Sequence, residues 1–242
     1  MANKRDDRPR HQQIAADLRA QIMSGEMAPG VQLPSTQHLV QRYAAANATI
    51  QRALAALKDE DFIYSRAGKG VYVRDKQPFV VQVAAYFAPA PRGYAYRLLD
   101  VAEVRPAIEI AGALHLADIG TVILRKRLLL HDGDPVELSW SYYPTEIAAR
   151  SPLAARTKIS GGAPRALATL GYPQRDFIDR LSARAPTTEE LEALELPEDV
   201  PVIRQFRIIY SDERRPVEAS ILVKGAHLYE LLYHQTIPDP VD

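Results

Sequence analysis

The chain has 242 residues, 47% of them hydrophobic, with 30 Lys/Arg against 30 Asp/Glu and no cysteine. That length suits two domains of roughly 100–150 residues, and the missing thiols exclude disulfides, cysteine-ligated zinc and thiol catalysis. No apolar run reaches the ~18 residues of a transmembrane helix, and the polar start MANKRDDRPR has no apolar core behind it and is not a secretory signal; a cytoplasmic protein without membrane contact is expected.

The neutral total hides an asymmetry. Residues 1–76 hold 12 Lys/Arg and 8 Asp/Glu, a net +4, whereas residues 77–242 hold 18 and 22, a net −4. A basic front permits nucleic-acid binding without requiring it. The six histidines show no HxH or HExxH spacing, so neither a metal nor another cofactor is expected.

Residues 1–9 read as a disordered arm. From Arg10 to Ser24, Ile14, Leu18 and Ile22 recur every fourth residue, the apolar face of a helix that Gly25 is placed to stop. The turn-rich GEMAPGVQLPS follows. Ser35 is a good N-cap for a short helix through Tyr43, with Leu39 and Val40 inward. After the tight link Ala44–Ala46, Asn47 is expected to cap a third helix running to about Asp59. Phe62 and Tyr64 then alternate on one strand, Gly68-Lys69-Gly70 turns, and Val71 and Val73 alternate on the return. Helices, a tight turn, a further helix and a two-stranded wing make a winged helix-turn-helix over residues 10–76.

In such a motif the helix starting at Asn47 presents its first turn to the major groove. Ile50, Leu54 and Leu57 anchor it, while Asn47, Thr49, Gln51 and Arg52 are free to contact DNA. Asn or Gln pairs with adenine through two hydrogen bonds, and Arg with guanine or phosphate. Ser35, Thr36 and Gln37 sit at a helix N-terminus, where free N–H groups favour a phosphate. Gly68 and Gly70 allow close approach of the wing, with Arg66 or Lys69 reaching the minor groove or its phosphates. A winged helix used only for protein contacts is the alternative.

Residues 77–94, with the Pro-rich APAPRG, read as an interdomain linker, with a strand or a helix open at the start of FVVQVAAYF. The second domain, 95–242, contains an internal repeat. TVILRKRLLLHDGDPVELSWSY (121–142) lies on PVIRQFRIIYSDERRPVEASILV (201–223), so that Arg127 meets Arg207 and, after one extra residue, Glu137 meets Glu218 and Ser139 meets Ser220. Upstream, Pro106, Glu109, Leu114 and Leu116 meet Pro186, Glu189, Leu194 and Leu196. Each unit reads strand, Pro, short helix, long strand, polar turn, long strand. The expected class is α+β, with a pseudo-symmetric antiparallel sheet. Thr187 or Thr188 caps the acidic helix of the second copy.

Arg125 and Arg127 alternate on one strand and project to one face, as Glu137 and Ser139 do on its partner. Two guanidiniums on one face suit a phosphate or carboxylate. A solvated surface laced with ion pairs is the other reading of this quartet. Glu218 and Ser220 are its repeat equivalents, where a structural role is the alternative.

Residues 11–74 resemble the DNA-binding domain of the GntR family of bacterial transcription regulators, through SGEMAPGVQLPS, TIQRAL and GKGVYV in order. The second domain is similar, from about residue 95 to 236, to the UTRA effector-binding domain of the HutC subfamily, which shares the chorismate-lyase fold. ILRKRLLLHDGDPVELSWSYYP carries that similarity. The resemblance implies an effector-responsive regulator, a repressor released by a small anionic metabolite of the sugar-phosphate or organic-acid class. It implies a homodimer on a double-stranded, pseudo-palindromic operator. It places Arg125, Arg127, Glu137 and Ser139 around the effector and Tyr229 where the pocket closes. The family usually has Arg where this chain has Gln37, Asn47 and Gln51, which implies a shifted base preference, toward adenine. A chorismate-lyase-like enzyme with a tethered winged helix is the alternative; a regulator, not an enzyme, is expected.

Overall fold

The computed structural model describes residues 6–75, the backbone of 79–82, and residues 93–117, 120–197 and 200–233. The chain divides into two units, Met1–Pro78 and Phe79–Asp242. Residues 1–5 of the expected arm and 83–92 of the expected linker, including most of APAPRG, lie outside the described residues.

The first unit is built on α1 (Arg10–Met23), α2 (Thr36–Tyr43) and α3 (Asn47–Asp59), followed by β1 (Ile63–Arg66) and β2 (Gly70–Val73). Ile14, Leu18, Leu39, Ile50, Leu54 and Leu57 form one buried cluster with Leu33, Ile63 and Val73, because the fourfold spacing stacks them on facing helix sides. Gly25, at φ +79°, follows the Ser24 C-cap of α1 in the left-handed conformation that glycine adopts without steric cost. Ser35 caps α2, its hydroxyl accepting from the His38 N–H at 3.2 Å. Asn47 does not cap α3. Ala46 holds that position without a side-chain bond, and Asn47 is the first helical residue. The displacement arises because Ala44 already turns the chain at φ +44°, one residue beyond α2.

β1 and β2 pair antiparallel from Ile63↔Val73 to Arg66↔Gly70. The wing strand begins one residue later than the alternation suggests, so Ile63 rather than Phe62 is its buried residue. The PGVQLP segment is the wing's second support. Gly30 N–H donates to the Val73 carbonyl, Val73 N–H to Val31, and Leu33 N–H to Val71. Gln32 Nε2 donates to the Lys69 carbonyl at 2.8 Å. A Cβ on Gly70, at φ +118°, would come within 2.5 Å of that amide, so the wing requires glycine there.

The second unit contains β3 (Phe79–Gln82), β4 (Tyr94–Val104), α4 (Ile108–Ala113), β5 (Val122–His131), β6 (Asp134–Pro144), α5 (Thr145–Ala148), α6 (Gly162–Thr169), β7 (Asp176–Arg184), α7 (Thr188–Ala193), β8 (Val202–Tyr210), β9 (Pro216–Gly225) and β10 (Tyr229–Leu232). Six strands form one antiparallel sheet in the order β4-β5-β6-β9-β8-β7. The repeat is visible in that order: β4, β5 and β6 of one copy mirror β7, β8 and β9 of the other, and the copies meet at β6 and β9. β3 pairs in parallel with β10, so part of the segment read as linker is a strand of this unit.

Period-two alternation sorts the side chains. Leu128, Leu138, Phe206 and Val223 face α4 and α7, burying Ile110, Leu114, Leu194 and Leu196. Thr187 caps α7 in a full capping box with Glu190. On the opposite face, Ile123, Tyr143 and Ile209 pack under α5, α6 and the 3₁₀ turn Pro152–Ala154. The rest of that face is polar.

Candidate nucleic-acid interface and effector site

The first turn of α3 leaves Asn47, Gln51 and Arg52 exposed and Thr49 half-buried, while Ile50, Leu54 and Leu57 hold the helix to the core. Gln51 is not independent of α2: its Nε2 donates to the Thr36 hydroxyl at 3.2 Å. That contact joins the N-terminus of α2 to the exposed side of α3, leaving the Gln51 carbonyl oxygen and one amide hydrogen for another partner. Ser35 and Gln37 are exposed beside Thr36.

On the wing, Gly68 and Lys69 form the turn and are exposed. Arg66 lies on two tyrosines, with its guanidinium 4.8 Å from the Tyr72 ring centre and 5.3 Å from that of Tyr64, and Nη2 donates to the Tyr64 hydroxyl at 2.7 Å. Arg74 also stands over Tyr64, 5.3 Å from its ring centre, and pairs with Asp61 at 2.7 Å. These stacks hold the wing cations in defined places before any ligand arrives. The tyrosines at 64 and 72 were legible as strand residues only; their stacking role needs the cross-strand pairing that sets them opposite each other.

In the second unit, Arg125, Arg127, Glu137, Ser139 and Tyr229 divide into different environments. Arg125 is buried, and its guanidinium donates to the carbonyls of Leu153, Ala155 and Thr157 at 2.8, 2.6 and 2.7 Å. Burial lowers its pKa, and the neighbouring Arg127 charge lowers it further. Arg125 therefore clamps the segment 153–157 over the sheet, and its Nε is left buried without a hydrogen-bond partner. Arg127 remains half-buried, with Nη2 donating to the Ser141 hydroxyl at 2.6 Å. Glu137 pairs with buried Lys224 at 2.6 Å. Ser139 is buried directly opposite Arg127. Tyr229 opens β10, buried, with Lys224 Nζ 5.7 Å from its ring centre. Burial pushes its phenol pKa well up, and the Glu137 charge adds to the effect.

Residues beyond that set complete the face. Ser141 and Ser220 share a hydrogen bond of 2.8 Å across the β6/β9 seam, and Ser220 donates to Glu218 at 2.7 Å. Gln174 donates to the other Glu218 oxygen at 3.2 Å. Lys224 donates to Gln205 at 3.3 Å, and Gln205 donates to Asp179 at 2.9 Å. Asp179 accepts two bonds of 2.7 Å from Arg207. The repeat pointed to Arg207, Glu218 and Ser220. Asp179 and Lys224 carry no such sequence signal, because only the strand register brings them to this face.

The face thus carries two hydrogen-bonded networks, one running from Arg127 through Ser141 and Ser220 to Glu218 and the other from Glu137 through Lys224 and Gln205 to Asp179 and Arg207, largely sealed from water. It can recognise an anion with polar substituents, since guanidinium binds oxyanions in a forked geometry and the seryl and glutamyl oxygens accept hydroxyl protons.

Comparison with known proteins matches each of the two units to a known domain type. Residues 10–73 match the gntR family of bacterial regulatory proteins, and residues 91–230 match the UTRA domain. The chain is 26% identical over 253 residues to an uncharacterized HTH-type transcriptional regulator of Streptomyces coelicolor, covering 96% of this chain and 94% of that one. It is 26% identical over 243 residues to the HTH-type transcriptional repressor NagR of Bacillus subtilis, covering 96% and 97%. The C-terminal domain of the histidine utilization repressor of Pseudomonas syringae shares the fold of the second unit, with a TM-score of 0.52, 18% identity and coverage of 60% and 99%. With its winged helix and its UTRA sheet domain together accounting for most of its length, the chain belongs to the GntR family of DNA-binding, effector-responsive transcription regulators.

Proposed function

We propose that the protein is a homodimeric repressor, acting in the cytoplasm, that leaves a pseudo-palindromic operator when a small anionic metabolite binds its second unit. The observation that carries this reading is the contrast on the sheet face. Arg127 is half-buried, whereas Arg125 is buried against the carbonyls of Leu153, Ala155 and Thr157 and Arg207 against Asp179. The effector anion, a sugar phosphate or small organic acid, meets Arg127, with Ser139, Glu137 and Tyr229 around its polar remainder. Arg125 acts by holding 153–157. The Bacillus relative is named a repressor, which favours release over activation.

On the DNA side, Asn47, Thr49, Gln51 and Arg52 read the major groove. Ser35, Thr36 and Gln37 hold a phosphate at the start of α2, and Arg66, Gly68, Lys69 and Gly70 approach the minor groove. Two copies of α3 related by a twofold axis require an inverted-repeat site. The role is binding and not catalysis, because the carboxylates of the face are committed to neighbours: Glu137 to Lys224, Asp179 to Arg207, and Glu218 to Ser220. Selection from a random duplex pool tests the DNA half: an inverted repeat should be enriched, and enrichment of no defined sequence would refute operator reading.

A further inference from the structure

A side-chain hydrogen bond ties the start of α2 to the exposed side of α3: Gln51 Nε2 donates to the Thr36 hydroxyl oxygen at 3.2 Å. Thr36 is the first residue of α2, directly after the Ser35 cap. The Ser35 hydroxyl and carbonyl accept from the N–H groups of His38 and Leu39, which leaves the N–H groups of Thr36 and Gln37 to an outside acceptor. An anion is favoured at such a place, and the half-buried Thr36 carries its hydroxyl there too.

A hydroxyl has a single proton and can accept as well as donate. When that proton goes to a phosphate oxygen, the Thr36 oxygen can only accept from Gln51. The Gln51 amide must then turn its nitrogen toward Thr36 and its carbonyl oxygen away, which is the orientation in the structure. The Oε1 acceptor and one N–H remain for a base. That pair complements the N6 donor and N7 acceptor of adenine. A flipped amide, with Oε1 accepting from the hydroxyl, would turn two donors outward instead. Two donors complement the O6 and N7 acceptors of guanine. The direction of one hydroxyl proton therefore decides which purine Gln51 fits.

We infer that Thr36 determines base specificity through Gln51: a backbone phosphate at the start of α2 takes the Thr36 proton, and the Thr36 oxygen then holds Gln51 in its adenine-reading orientation. Thr36 is a positioning residue and touches no base. It converts a phosphate contact, which carries no sequence information of its own, into a choice between adenine and guanine. Hydrogen bonds in a chain polarise one another, so the phosphate tightens the hold on the amide as it binds. This rests on the proposed major-groove role of Gln51 and names the residue that sets its preference.

The test is selection from a random duplex pool by the full chain and by its variants Gln51→Ala, Thr36→Val and Thr36→Ser, followed by competition binding on duplexes that differ in one base pair. Gln51→Ala identifies the position that Gln51 reads. There the parent should prefer adenine over guanine by about 5- to 150-fold, the range of one two-bond base contact. Thr36→Val keeps the shape of the side chain and removes the hydroxyl. It should admit guanine, bringing that ratio toward one while preferences elsewhere in the site stay as in the parent. Thr36→Ser should keep the adenine preference. A Thr36 that only held phosphate or supported the helix would change affinity for all sequences alike. Thr36→Ala carries the same expectation should Thr36→Val accumulate poorly. An adenine-to-guanine ratio unchanged in Thr36→Val, or lost equally in Thr36→Ser, would overturn the proposal and leave Gln51 as a base reader. Parental sites selected by Gln51→Ala would overturn both.

Discussion

Trp140 of β6 lies directly opposite Ile221 of β9, and the two hold the same position in the internal repeat. The pair therefore marks the pseudo-twofold centre of the sheet, where the two copies of the unit join. Each copy alone would leave a strand edge and an apolar face open, so the seam is where the unit gains its stability.

Leu138, paired with Val223 beside that centre, is fully buried. Leu138→Ala should lower stability by about 2–5 kcal/mol, from lost transfer energy and the cavity left behind. Calorimetry of the full chain should show the loss in the transition of the second unit. DNA affinity below that transition should be retained.

Arg125 and Arg127 should separate cleanly, although they stand two residues apart. Arg125→Leu orphans the buried Leu153 carbonyl, at a cost of about 1–3 kcal/mol, and releases those of Ala155 and Thr157, so the second unit should melt lower and residues 153–157 become protease-sensitive. Arg127→Gln should keep the melting temperature near that of the parent and lose the response to effector. A charge reversal at both positions, the natural test from strand alternation alone, would confuse binding with folding.

The capping box of α7 should make one acid-labile contribution. Burial opposes the charged form of Glu190, but the Arg184 side chain and the Thr187 N–H outweigh it and hold the carboxyl below its ordinary range. A depressed folded value stabilises the protein above the carboxylate range, and the contribution disappears as pH falls through that lowered value. Glu190→Gln should therefore destabilise the second unit at neutral pH and flatten its acid limb between those values. Thr187→Ala should cost about 1 kcal/mol. Melting curves across pH for both variants check the two numbers together.

On the DNA side, Arg52→Ala should reduce the slope of log affinity against log salt by about 0.9 if it meets a phosphate. If it meets a base, it should instead relax one position of the selected site. Asn47→Arg with Gln51→Arg should shift the sites selected from a random pool away from adenine. Identical sites for the variant and the parent would mean these two residues do not read sequence.

The elements legible in the sequence are those written by local period. Ile14, Leu18 and Ile22 announced α1, and the aligned strands of the repeat announced a symmetric antiparallel sheet. What stayed hidden depends on pairing over long separations. At the start of FVVQVAAYF, strand and helix stay equally open because the partner of β3, β10, begins at Tyr229. Arg125 looked equivalent to Arg127 because alternation gives a side chain's face and not the acceptors that meet it. Asn47 looked like a cap because the left-handed turn at Ala44 leaves no mark on an alanine-rich string.

The central claim is coupling between the charged sheet face and the operator. Its most direct measurement is operator affinity with and without a saturating anionic hit from a thermal-shift screen of phosphorylated sugars and small carboxylates, in the parent and in Arg127→Gln. The account predicts weaker operator binding in the parent on adding the hit, no change in Arg127→Gln, and, by reciprocity, weaker hit binding when operator is present. Operator affinity unchanged by the saturating hit in the parent would contradict it.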